Sequence, residues 1–190
     1  MTIDDTNIQS LIHDFVIKIK NNEIEIYNEA SIQYELAIFL RQELKDYHIQ
    51  LERNISYFNL NKRQFEKKEI DLIIFNKDKS VKTAIELKFP KNGQYPEQMF
   101  SFCKDIRFLE QLRDNGFQNN LFVAFADDRN FWSEKGEEGT IYYKFRNLKN
   151  LDKQIVKPTG KRDKIIELTG EYKINWGDIK DSLKFFIVKI

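Results

Sequence analysis

The chain has 190 residues, of which 41% are hydrophobic and 14% aromatic, and it carries a formal net charge of +1. These values exclude a disordered chain and the global basic charge of many small nucleic-acid-binding domains, and the single Cys103 excludes an intrachain disulfide and a cysteine-based zinc site. Because no apolar run reaches roughly 20 residues and no secretory signal is recognisable, we expect a cytoplasmic protein with no membrane partner.

Two amphipathic helices are predicted in the first 47 residues. Apolar side chains recur at helical spacing over residues 6–20. Residues 31–47 carry the clearest apolar stripe, and Ser31 is a suitable N-cap for this helix. Glu35 lies on or beside the stripe, so we expect its carboxylate to face inward.

Three strands, a helix and a further strand are predicted in the middle of the chain. Polar turn segments separate three strand-like runs, which predicts a meander over residues 48–58, 69–75 and 81–89. Pro96 is typical of a helix start, and a helix is predicted over residues 96–115. The continuous apolar run 121–126 predicts a buried strand.

The C-terminal third is predicted to be rich in strands. Strand-like runs occur at 140–146, 164–168 and 183–190, and residues 170–179 suit a hairpin or a turn. Together the elements predict an α/β fold in which helices flank a central mixed sheet, in the order α-β-β-β-α-β with a C-terminal β-rich elaboration. Length and continuity favour one domain over residues 1–190, with its core at about 31–126.

Two acids lie inside apolar strand runs, where an unpaired carboxylate costs several kcal/mol. Asp71 interrupts the run 69–75, and Glu86 lies near the end of the run 81–89, two residues before Lys88. Because side chains alternate along a strand, Glu86 and Lys88 share one face and Leu87 faces the other. If the two strands are neighbours, these three charged side chains converge at one edge of the sheet.

Such a convergence suits metal-assisted hydrolysis of a phosphodiester. Hard carboxylate oxygens bind Mg²⁺ or Mn²⁺, and the ion activates water and polarises a phosphoryl oxygen. A lysine two residues along can position the attacking water or neutralise transition-state charge. The residues therefore predict a metal site at Asp71 and Glu86, with Lys88 assisting the water.

The spacing of Asp71, Glu86 and Lys88 resembles the motif of the PD-(D/E)xK nuclease superfamily, which has the restriction-endonuclease-like fold. The predicted order of elements is also similar to that superfamily's core. The resemblance implies that Asp71, Glu86 and the Leu87 carbonyl bind the metal and that Lys88 is catalytic. It further implies that an acid on the preceding helix also binds the metal, a position that Glu35 matches.

The helix after the motif resembles that of recombination-type and phage exonucleases of the same superfamily. These carry Gln-x-x-x-Tyr, whereas this chain has Gln98 followed by Phe102, so the tyrosine hydroxyl is absent. The resemblance implies that Gln98 belongs to the site and that the substrate is nucleic acid, DNA before RNA. It also implies a homodimer as one arrangement for cutting a duplex.

Other interpretations remain open at this point. The same fold could form a catalytically silent module that binds nucleic acid or a protein partner, and Asp71 could form a salt bridge with Lys88 and bind no metal. In an unrelated α/β fold the three charges would be accidental. Basic clusters at 62–63, 67–68 and 161–162 either follow a phosphate backbone or lie in solvated turns.

Overall fold

The computed structural model describes residues 5–91, 93–133, 135–160 and 164–190. Its α-helices are α1 (Asp5–Lys20), α2 (Glu29–Glu43) and α3 (Tyr95–Arg113). In chain order its strands are β1 (His48–Asn54), β2 (Glu69–Phe75), β3 (Lys82–Lys88), β4 (Leu121–Ala126), β5 (Asn150–Val156), β6 (Ile165–Lys173), β7 (Gly177–Lys180) and β8 (Leu183–Lys189). Within the described ranges, no helix combines the length and apolar character needed to cross a membrane.

The main sheet is mixed and has six strands in the order β1-β2-β3-β4-β8-β7. Strands β1, β2 and β3 form the predicted antiparallel meander. Helix α3 then carries the chain across to β4, which pairs parallel with β3. Strand β8 pairs antiparallel with β4, so the C-terminal region completes this sheet, while β5 and β6 form a separate two-stranded ribbon.

Two apolar cores lie on opposite faces of the sheet. Helices α1 and α2 cover one face, and α3 with the β5–β6 ribbon packs on the other. Alternation along β3 divides its side chains between them, because Ile85 and Leu87 pack in the first core and Ala84 packs in the second. Glu86 lies between Ile85 and Leu87 in sequence, so its side chain lies on the α3 face.

Helix α2 begins two residues earlier than the sequence predicts. Asn28 is its N-cap and accepts a hydrogen bond from the Ser31 backbone N–H, while the Ser31 hydroxyl accepts one from the Asn28 N–H. The prediction of Ser31 as the N-cap is therefore wrong, because Ser31 is the third helical residue of a reciprocal capping box. The earlier start makes Glu29 the first residue of the helix.

The C-terminal third differs most from the sequence prediction. Residues 140–146 do not form a strand, since a π-helical segment runs through Tyr143–Leu148. Within residues 140–146 the buried apolar side chains are those of Ile141 and Phe145. They are four residues apart, which is a helical spacing rather than the alternation of a strand. Strand β5 was not predicted, β6 extends beyond residue 168, and β1 ends at Asn54 before a short 3-10 turn.

Candidate metal and catalytic site

Asp71 and Glu86 meet across the antiparallel pair β2–β3. Leu72 pairs with Ile85, which brings the next positions along the two strands, Asp71 and Glu86, side by side. The Asp71 N–H donates to Glu86 Oε1 at 3.3 Å, and the Leu87 N–H donates to Asp71 Oδ2 at 2.9 Å. Glu86 is fully buried and Asp71 is 5% exposed, so both carboxylates lie within the protein at the α3 face of the sheet.

Lys88 ends β3 beside this pair, as its spacing from Glu86 predicts. Its ammonium donates to the Leu87 carbonyl at 3.1 Å and to Glu29 Oε1 at 3.2 Å, and it lies 3.4 Å from Asp105 Oδ2. Its side chain is 13% exposed. The predicted trio of Asp71, Glu86 and Lys88 is therefore brought together in one place.

Two further carboxylates join the trio. Glu29, at the N-terminus of α2, reaches the end of β3, where Oε2 accepts the Phe89 N–H at 3.4 Å. Asp105 projects from α3 and is only 3% exposed. Its Oδ2 makes no hydrogen bond within the part of the chain that the structure describes, although it lies within ion-pair distance of Lys88.

A second lysine lies at the centre of the carboxylates. Lys67 comes from the connection before β2, and its ammonium lies 3.1 Å from Asp71 Oδ1 and 3.4 Å from Asp105 Oδ1. It also donates to Glu86 Oε2. Three buried carboxylates thus share one ammonium group, and the Lys67 side chain is 24% exposed on the open side of the cluster.

The cluster contains more carboxylates than ammonium groups, and the pKa values of its members are shifted accordingly. Burial raises the pKa of Glu86 well above its ordinary value, and repulsion from Asp71 adds to this despite Lys67. Burial likewise raises the pKa of Asp105 and of Glu29. Burial alone would lower the pKa of Lys88, but the surrounding carboxylates, Asp105 first, raise it, so the ammonium stays charged.

The predicted residue Glu35 lies away from this cluster, which corrects its assignment to the site. It lines a surface depression with Lys18 and Glu23 on the side of α1. Six residues separate Glu29 from Glu35, which turns their side chains about 120° apart around the helix axis. Because α2 approaches β3 with its N-terminal end, Glu29 reaches the cluster and Glu35 does not.

The predicted residue Gln98 lies half-buried near the start of α3. Asp105 follows Gln98 by seven residues and lies on the same side of the helix. Asp105 forms ion pairs with both lysines of the cluster, Lys67 and Lys88. Asp105 could have been identified from the sequence, because it lies three residues after Phe102 and four before Leu109, and both of these are buried. This helical spacing predicts that Asp105 lies on the same buried face of the helix. Glu29 and Lys67 have no comparable signal, because both occur in polar surroundings in the sequence.

The cluster opens into a cleft of about 490 Å³ lined by charged side chains. Within the residues that the structure describes, no three carboxylate, imidazole or thiol groups have the arrangement of a metal-binding group. Three carboxylates of the cluster contact the ammonium of Lys67. Four carboxylates and two ammonium groups give it a formal charge of −2 when all are ionised.

No protein-family model, curated protein or solved structure is significantly similar to this chain. A functional assignment therefore depends on the chemistry of the cluster and of the surface around it.

Proposed function

We propose that this protein is a metal-dependent nuclease of the restriction-endonuclease-like fold that hydrolyses phosphodiester bonds, in DNA before RNA. The observation that carries the proposal is the meeting of Asp71 and Glu86 on neighbouring strands, with Lys88 on the same face as Glu86. Buried carboxylates side by side are costly unless a cation compensates them. A divalent metal ion that assists phosphodiester hydrolysis would be such a cation.

The donors are of the type that Mg²⁺ and Mn²⁺ prefer, hard oxygens, although the described side chains as placed do not form a metal-binding group of three. Asp71, Glu86 and the Leu87 carbonyl would hold the ion, and Asp105 is a further carboxylate that shares the Lys67 ammonium with the two acids. The cluster has a formal charge of −2 with Lys67 in place and −3 without it, so it attracts a cation in both cases, and the Lys67 ammonium marks a position where the cluster already accepts positive charge. A bound divalent ion lowers the pKa of its water and polarises a phosphoryl oxygen.

The chain's own contribution is a preorganised positive charge beside that position. Lys88 is held by the Leu87 carbonyl and by Glu29, so its ammonium is oriented before a substrate arrives. An oriented ammonium can hold the attacking water and stabilise the negative charge that develops on the phosphoryl oxygens. Glu29 is a positioning residue in this proposal, because it acts through Lys88.

A groove beside the cleft supports a nucleic-acid partner. It measures about 270 Å³, and its lining includes Lys104 of α3, Lys157 after β5 and Lys164 before β6. Lys164 Nζ lies 3.8 Å from Glu66 Oε2, and Glu66 lines the cleft, so the groove and the cleft adjoin. A local group of lysines can bind phosphates although the whole chain carries a charge of only +1.

We expect a double variant, Lys157→Ala with Lys164→Ala, to bind a labelled oligonucleotide about tenfold more weakly at low salt in metal-free buffer. The slope of log K against log salt should fall by about 2, one for each lost phosphate contact. Fluorescence anisotropy at several salt concentrations measures both quantities. A double variant of exposed lysines elsewhere, Lys20→Ala with Lys45→Ala, has the same change in charge and serves as the control. Equal losses in the two double variants would contradict the groove assignment.

The competing function is a catalytically silent module that binds nucleic acid or a protein partner. One observation favours it: the place of a cation among Asp71, Glu86 and Asp105 is taken by Lys67. If that ion pairing is permanent, no divalent ion enters and no hydrolysis follows. Titration with Mn²⁺ by calorimetry separates the two functions, because only the nuclease requires binding.

The direct test is a cleavage screen over single- and double-stranded DNA and RNA with Mg²⁺ or Mn²⁺. We expect cleavage of at least one substrate, loss of cleavage in EDTA, and loss of cleavage in Glu86→Ala and Asp71→Ala proteins. Full activity in Asp71→Ala would overturn the site, and no cleavage of any substrate together with no Mn²⁺ binding would overturn the nuclease. The same screen, run at several protein concentrations, tests the homodimer, which stays a prediction.

A further inference from the structure

Lys67 is the residue whose position in the cluster the sequence gives least reason to expect. It belongs to no helix or strand, since it lies between the short 3-10 turn Lys62–Gln64 and β2. Its ammonium nevertheless contacts Asp71, Glu86 and Asp105 together. We propose that Lys67 is a tethered counter-ion of this cluster, which a divalent metal displaces when it binds. This inference rests on the proposed function and identifies what controls metal entry.

The first argument is that the two cations exclude each other. Oxygens bound to Mg²⁺ lie about 2.0–2.1 Å from the ion. The Lys67 ammonium occupies the point to which oxygens of Asp71 and Glu86 already converge, so an ion at that point would contact it directly. Two like charges at such a distance repel strongly in a site with little water. Either the Lys67 ammonium or the divalent ion must therefore leave this position.

The second argument is that, of the four side chains that meet at the Lys67 ammonium, that of Lys67 has the most access to solvent. Its side chain is 24% exposed, against 7% for Asp71, 4% for Asp105 and 0% for Glu86. It also lines the open cleft of about 490 Å³, so rotation about its side-chain torsions moves the ammonium towards solvent. The three carboxylates, in contrast, project from β2, β3 and α3 and are almost fully buried, so they have less space to move than the Lys67 side chain.

The third argument is that the backbone around Lys67 is anchored, so the change falls on the side chain. The Glu66 N–H donates to Gln111 Oε1 at 2.9 Å, and the Lys68 carbonyl accepts the Ile55 N–H at 2.9 Å. These bonds hold the residues on both sides of Lys67 to α3 and to the end of β1. A displaced Lys67 ammonium therefore stays at the mouth of the cleft, where an incoming phosphate would pass.

The test compares Lys67→Met with Lys68→Met, because both residues line the cleft but only Lys67 contacts the carboxylates in the interactions described above. We expect Lys67→Met to bind Mn²⁺ at least about tenfold more tightly than the unmodified protein in calorimetry, and Lys68→Met to bind it unchanged within about twofold. Without metal, Lys67→Met should melt at a lower temperature, and Mn²⁺ should raise that temperature more than in the other two proteins.

A measurement on the unmodified protein covers the case in which Lys67→Met does not fold. An amine-reactive ester labels lysines, and mass spectrometry of the peptides gives the extent at each position. We expect Mn²⁺ to increase labelling of Lys67 several-fold and to leave the exposed Lys45 unchanged.

The outcomes separate the two proposals. Mn²⁺ binding by the unmodified protein, without tighter binding by folded Lys67→Met or without increased labelling of Lys67, would overturn the counter-ion and leave the nuclease standing. No Mn²⁺ binding by either protein would overturn both.

Discussion

Under the proposed nuclease function, a Lys88→Met variant is expected to cleave nucleic acid about 100- to 1,000-fold more slowly than the unmodified protein at saturating Mn²⁺. The Lys88 ammonium is oriented by the Leu87 carbonyl at 3.1 Å and by Glu29 at 3.2 Å, so it is placed before substrate binds. Loss of one preorganised donor to transition-state charge has an effect of this size in a well-characterised serine protease. Because Asp71 and Glu86 are unchanged and a neighbouring positive charge is removed, the Mn²⁺ affinity should be kept or increased while the rate falls.

Single-turnover cleavage and Mn²⁺ calorimetry on the same protein separate these two effects. Lys68→Met is the matched control, since it also removes one charge from the cleft lining. Near-ultraviolet circular dichroism shows whether Lys88→Met keeps its tertiary structure, which matters because Asp105 and Glu29 lose an ion-pair partner. Cleavage within a few-fold of the unmodified protein would show that Lys88 is only a structural partner of these acids.

The largest effect on stability is expected from Glu110→Ala, at about 3–5 kcal/mol of unfolding free energy. Glu110 is fully buried on α3 and holds the β5–β6 ribbon. Its Oε1 accepts the Thr169 and Gly170 N–H groups, each at 2.8 Å, and the Tyr172 hydroxyl at 2.7 Å. Removal of the carboxylate takes the acceptor from the buried Tyr172 hydroxyl and from two partly buried N–H groups, which is costlier than the loss of a single exposed hydrogen bond.

Urea unfolding measures this loss of unfolding free energy, and two milder substitutions provide values for comparison. Glu110→Gln keeps an acceptor oxygen, and Tyr172→Phe removes one donor of the set, so each should cost less than Glu110→Ala. A loss below about 1 kcal/mol in Glu110→Ala would mean that water replaces the carboxylate and that the ribbon is not held by it.

The same carboxylate predicts a pH dependence. Burial alone would raise the pKa of Glu110, but hydrogen bonds, from Tyr172 first, hold it below its ordinary value. A carboxyl group with a lowered folded-state pKa stabilises the protein above its unfolded pKa, and this stability is lost as the pH falls towards the folded value. The stability difference between the unmodified protein and Glu110→Gln should therefore shrink below about pH 4.5. The raised pKa values of Glu86 and Asp105 act with the opposite sign but cancel in this difference.

The sequence predicts the centre of the site well because the necessary information is local. Asp71 and Glu86 are 15 residues apart, on consecutive strands joined by a polar turn, and a two-residue period fixes which side chains share a face. Pairing of adjacent strands is the simplest connection, so β1, β2 and β3 and the meeting of the two acids were predictable. For the same reason Lys88 was correctly placed beside them.

The periphery of the site could not be predicted because it depends on how distant elements approach one another. Glu29 and Glu35 belong to one helix, and only the angle at which α2 meets β3 decides which of them reaches Lys88. Asp105 depends on the rotation of α3 about its axis. The π-helical segment at Tyr143–Leu148 was missed because neighbouring aromatic residues favour a strand locally, whereas packing buries Phe145 at a helical spacing.

Strand β4 gains its second neighbour only from residues far along the chain. Leu121 pairs with Lys189 and Ala126 with Lys184, so about 60 residues separate the two halves of this pairing. Until residues 183–189 have been synthesised, one edge of a wholly apolar strand has no partner from β8. Such an edge is a template for association between chains, and the β4 segment lacks the charges and proline that normally prevent it. Truncations and substitutions in β8 are therefore expected to lower solubility during synthesis as well as stability afterwards.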